Sequence, residues 1–71
     1  MRHYNGERIL PNDREVGYIL SLLRSPKTIS QLSAESGMHP LRVRPAIRIL
    51  AMKHLIVEVD SDPETYLRVV A

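Results

Sequence analysis

Cysteine, tryptophan and phenylalanine are missing altogether from this chain of 71 residues. Without cysteine there are no disulfides and no thiolate zinc to staple the fold, and the absence fits a reducing compartment. Tyr4, Tyr18 and Tyr66 stand far apart in the sequence, so no stacking platform for single-stranded nucleic acid is visible. The three glycines are scattered, which excludes a glycine-rich phosphate loop. No apolar run approaches the roughly 20 residues that span a bilayer, and no signal-peptide pattern opens the chain. A soluble cytoplasmic protein is therefore expected.

Catalytic groupings are equally scarce. His3, His39 and His54 have neither the i, i+4 spacing nor the nearby carboxylates of a metal site. Ser30, Ser33 and Ser36 fall in one short helical stretch with no base beside them. The chain reads as a binding protein rather than an enzyme, with no metal and no cofactor. A domain this small buries only about 60% of the surface its unfolded chain exposes. No length is left over for a ligand pocket, so no small-molecule ligand is expected, and a homodimer would add burial. Beginning at a methionine, the chain suits a small, complete protein.

Charge is what the chain does have, unevenly placed. Residues 1–54 carry nine Lys/Arg against four acids, a net of +5. Residues 55–71 carry Arg68 alone against Glu58, Asp60, Asp62 and Glu64, a net of −3. A basic body beside an acidic tail suggests that one face meets a polyanion and the other does not.

The periodicity divides the chain into an N-terminal arm, residues 1–11, and one domain over 12–71. Asn12 and Glu15 have capping-box spacing, and Val16, Ile19, Leu20 and Leu23 follow with the period of one buried helical face. Ser25-Pro26 stops that helix. Thr28-Ile29-Ser30-Gln31 is a second capping box, opening a short helix that points Ile29 and Leu32 inward and ends at Gly37. Met38 tucks back as the apolar turn residue. Pro40 suits the first position of a third helix, with Val43, Ala46, Ile47 and Leu50 as its buried stripe. Beyond Lys53-His54 the pattern turns extended. Residues 55–60 and 65–70 read as two strands around the turn chemistry of Ser61-Asp62-Pro63-Glu64. The expected fold is mainly α with a C-terminal β-hairpin: three helices plus a two-stranded wing.

The stretch from Thr28 to Ile56 resembles the winged helix-turn-helix superfamily, including MarR-type and ArsR-type regulators. The matching positions are Leu32, Gly37, Val43, Ile47, Leu50, Leu55 and Ile56. The resemblance covers about residues 13 to 70 and implies a small transcription regulator whose third helix enters the major groove of double-stranded DNA. The residues it places toward DNA are Lys27, Gln31, His39, Arg42, Arg44 and Arg48. Three departures stand out. Pro45 falls inside the third helix, where it deletes a backbone bond and would kink the first turn. His54 stands where the superfamily usually has glycine, a position that calls for a left-handed backbone. The wing tip, residues 60–64, is acidic, so phosphate would repel it.

Read from its own residues, the third helix exposes Arg44 and Arg48 and places Arg42 on the opposite flank. Planar guanidinium groups suit both phosphates and guanine edges. Leu41, Pro45 and Met52 also point outward, with Ile49 beside them. That apolar stripe motivates a second reading, a protein-interaction module that uses Leu41, Ile49 and Met52 together with the acidic wing.

Overall fold

The computed structural model describes residues 10–69, so most of the expected arm, and Val70, lie outside the described residues. Helix α1 spans Asp13–Leu22, and its start is fixed by a reciprocal cap. Glu15 N donates to Asn12 Oδ1 at 2.8 Å while Asn12 N donates to Glu15 Oε1 at 3.0 Å, satisfying two donors the helix itself leaves open. Past Pro26 the chain runs extended through β1 (Lys27–Thr28) and re-enters helix at once as α2 (Ile29–Ser36). Thr28 and Gln31 form the second reciprocal cap, at 2.8 and 3.1 Å.

Gly37 ends α2 in the left-handed region, with φ of 75°. Two serines of the preceding turn then hold the backbone of Met38. Ser33 Oγ donates to the Met38 carbonyl at 2.6 Å, and Met38 N donates to Ser36 Oγ at 3.0 Å. The Met38 side chain, meanwhile, packs on the core. Helix α3 (Pro40–Met52) begins directly after His39, whose Nδ1 accepts from Leu41 N at 3.0 Å. The helix continues through Pro45, so the proline neither delays its start nor divides it. Pro45 itself has no N–H to donate to the helix.

Strands β2 (Ile56–Ser61) and β3 (Glu64–Arg68) pair antiparallel, with Val57 opposite Leu67 and Glu58 opposite Tyr66, and a bulge between Glu58 and Asp60. The peptide bond between Asp62 and Pro63 in their connection is cis. The expectation of two strands needs correction. β1 pairs with the far side of β3 through Lys27–Tyr66 and Thr28–Thr65, giving a three-stranded antiparallel sheet of order β1-β3-β2. Among the described residues, three helices and this sheet make the fold mixed α and β. Two residues show no period, so β1 is invisible in the sequence; it forms because β3 runs alongside the extended stretch that ends in the Thr28 cap.

The core is where the helical stripes place it. Val16, Ile19 and Leu23 from α1 and its end, Ile29 and Leu32 from α2, and Val43, Ala46, Ile47 and Leu50 from α3 close together with Ile56 of β2. Backbone bonds tie the sheet to this core. Arg68 N donates to the Leu23 carbonyl at 3.0 Å and Leu55 N to that of Leu50 at 3.0 Å.

Two left-handed positions make a paired test. His54 adopts φ of 60°, as its place after the third helix requires, and carries a Cβ penalty of about 1 kcal/mol that glycine escapes. His54→Gly should raise the urea-unfolding free energy by about 1 kcal/mol. Gly37→Ala should lower it by a similar ~1 kcal/mol, although an added Cβ there meets nothing within 4 Å, because the backbone alone sets the cost. Unchanged midpoints in both variants would mean that neither position is strained by a side chain.

Candidate nucleic-acid interface

Helix α3 carries three arginines and no acid, and its packing sends them three different ways. With Val43, Ala46, Ile47 and Leu50 buried, the opposite stripe of Leu41, Arg44, Arg48 and Ala51 faces solvent. Arg44 and Arg48 lie one helical turn apart on it. Arg42 lies on the flank that meets α1, and its Nη2 donates to Glu15 Oε1, the same oxygen that caps α1. Both side chains are about two-thirds covered, at 31% and 28% exposure. The Asn12 backbone bond first, and then Arg42, hold the Glu15 carboxyl below the ordinary carboxylate range. Arg42 therefore clips α3 to the start of α1.

The other residues read as DNA-facing divide similarly. Lys27 Nζ donates to Glu35 Oε2 at 3.2 Å, and only 18% of its side chain is exposed. Gln31 uses its carbonyl oxygen in the α2 cap, and His39 uses Nδ1 in the α3 cap. Arg44 Nη1 donates to Glu64 Oε1 at 3.3 Å, across from α3 to the start of β3, and 56% of its side chain stays exposed. Arg48 is exposed and takes part in none of the ion pairs among the described residues.

The expected apolar stripe does not hold together as one surface. Leu41 and Met52 are exposed, at 58% and 74%, but they sit at opposite ends of α3. Between them Ile49 is half-buried against the core, and Pro45 is half-buried too. Positions 42, 45 and 49 share one flank of the helix, and the Arg42–Glu15 pair shows that this flank turns toward α1. Ile49 is thus part of the domain's own packing.

Between α3 and the sheet lies an open cleft of about 370 Å³. Arg44 and Arg48 form its basic wall, Glu58 and Glu64 its acidic wall, and Ile29, Ile47, Ala51, Ile56 and Tyr66 the remaining lining. Arg44 also borders a second depression shared with Thr28, Ser30 and Pro63, which brings the start of α2 and the strand connection to the same guanidinium. Burial first, and then the hydrogen bond to Glu64, push the Tyr66 phenol above its usual value. Sequence reasoning missed Glu64, Tyr66 and Glu15 as partners of this surface. Their separations from the arginines carry no periodic signal, and only the β2–β3 register and the α1–α3 packing bring them in. Comparison of the chain with protein families, with curated proteins and with solved structures finds no match in any of the three.

The Glu15 clip has a definite pH signature. A carboxylate held below its ordinary value of 4.5 stabilises the fold fully above that value and loses this contribution as pH falls through its lower folded value. Glu15→Gln keeps a capping side chain but removes the charge. Urea unfolding from pH 6 to pH 3 should therefore show a shallower loss of stability in Glu15→Gln than in the unsubstituted chain. Parallel profiles would rule out Glu15 as a contributor.

Proposed function

We propose that the chain is a winged helix-turn-helix domain that binds double-stranded DNA and acts as a small transcription regulator. In this reading α2 and α3, joined across left-handed Gly37, are the helix-turn-helix, and the β2–β3 pair is the wing. The carrying observation is the outer stripe of α3, where Arg44 and Arg48 stand exposed one turn apart on a helix without a carboxylate. A rigid stripe of this kind fits a major groove, where a guanidinium can meet a phosphate or the O6 and N7 of guanine. Leu41, at the start of the same stripe, suits a thymine methyl. Arg42 and Lys27 serve the fold in this reading, and the acidic strand connection stays off the DNA backbone.

Titration of a labelled random-sequence duplex at increasing salt tests it. Each phosphate contact contributes a slope of about −0.9 in a log-log plot. Arg48→Ala should weaken binding about tenfold, roughly 1.4 kcal/mol, and flatten the slope by about 0.9. Arg44→Ala should do less, because Arg44 is already paired. Unchanged affinity and slope in both variants would overturn the reading.

A specific observation favours a second function, contact with a protein, including a second copy of this chain. On the sheet face away from the core, Val57 lies opposite Leu67, and the Val69 N–H reaches the Leu55 carbonyl at 2.9 Å. Leu55, Val57 and Val69 are all exposed. Apolar side chains gathered this way gain by being covered. If a second copy covers them, light scattering will give the mass of a dimer, and Val57→Asp will reduce it to the monomer. A monomeric mass for the unsubstituted chain at high concentration would exclude self-association.

A further inference from the structure

Arg44 and Arg48 share one stripe but not one environment. Glu64 Oε1 accepts from Arg44 Nη1 at 3.3 Å and from Tyr66 Oη at 3.2 Å. The Tyr66 side chain packs against the core, so the second bond ties the carboxylate to the fold instead of leaving it to swing. Glu64 thus presents Arg44 with an anionic oxygen, the kind of group that a DNA phosphate would offer. Glu58 adds a second negative charge to the same wall of the cleft.

We propose that Glu64 is a specificity-determining residue, whose carboxylate competes with DNA phosphate for Arg44. The inference rests on the DNA-binding reading above. An exposed ion pair is weak enough to exchange, but swapping one carboxylate for one phosphate leaves little net gain. A guanine edge offers the guanidinium two parallel hydrogen bonds and so favours the exchange. Glu64 therefore subtracts most from sequence-independent binding, where phosphate contacts supply nearly all of the affinity. Arg48, with no such partner among the described residues, supplies the general attraction.

The test compares a random-sequence duplex with a duplex selected from a random pool by the unsubstituted chain, each titrated across salt. Glu64→Gln should tighten random-duplex binding about tenfold and steepen its slope by about 0.9, as one more cation reaches phosphate. Binding to the selected duplex should change less, so the ratio between the two falls. Tyr66→Phe removes only the hydroxyl that anchors Glu64 and should move both quantities the same way by a smaller amount. Asp62→Asn removes an equal charge from the same connection without touching Arg44, and should leave the slope where it was. In an Arg44→Ala background Glu64→Gln should have no effect. If Glu64→Gln leaves random-duplex binding unchanged, or if Asp62→Asn matches it, the competition is wrong while the DNA-binding reading stands. Failure of every variant and of the unsubstituted chain to bind any duplex at low salt would overturn both.

Discussion

Helix α3 cannot turn without unmaking the domain. Among the described residues, four of the ten buried apolar side chains, Val43, Ala46, Ile47 and Leu50, belong to it, and α1, α2 and the first residue of β2 all close on that one stripe. With no cysteine to form a disulfide, a core of this size leaves little stability in reserve. The helix is therefore locked in rotation by the same contacts that fold the chain. The side chains it shows to solvent are set by a period of 3.6 residues, not by any local preference of Arg44 or Arg48. Entry into the helix is just as constrained, because Gly37, Ser33 and Ser36 settle the path of Met38 before Pro40 begins the first turn.

Once rotation is fixed, the arginines differ by position alone. Arg42 meets the capping carboxylate of α1, Arg44 meets the start of β3, and Arg48 meets solvent. The covered Arg42–Glu15 pair belongs to the architecture, because breaking it strands partly desolvated charge. The Arg44–Glu64 pair is far more open, and pairs of that kind are worth about 0–1 kcal/mol and are screened by salt. At the cleft, the separation of basic body from acidic tail along the chain does not survive folding. The sheet returns Glu58 and Glu64 to the edge of α3, and the cleft between them carries both signs.

Much of the framework is legible in the residues alone. Both capping boxes, the end of α1 ahead of Pro26, the left-handed exit at Gly37 and all four buried positions of α3 follow from spacing and residue type, because each is set within about one helical turn, whereas the left-handed His54 follows only from the resemblance. The features that escape are those that need two distant segments at once. β1 exists only because β3 passes beside it, and Ile49 is apolar on a flank whose covering by α1 no helical period announces. Pro45 misleads for a different reason. One missing hydrogen bond is tolerated in a helix whose neighbours already hold it. At the site itself, exposure of Arg44 and Arg48 is readable from the helical stripe, whereas the pairing of Arg44 with Glu64 depends on a strand register.

The acids of the sheet also separate into two groups when the strand order is considered. β2 is an edge strand, and an open edge invites pairing with another chain. Asp60 and the bulge at Val59 put charge and a kink on that edge, which is how natural sheets discourage such pairing. Glu64 has no part in that protection. It begins the central strand, where Ser61 is its partner, and its side chain turns to Arg44 and Tyr66. Edge protection would be served as well by a charge that touched nothing. A carboxylate anchored by a half-buried tyrosine and aimed at an exposed arginine of α3 does something an edge charge need not do, because it occupies that arginine.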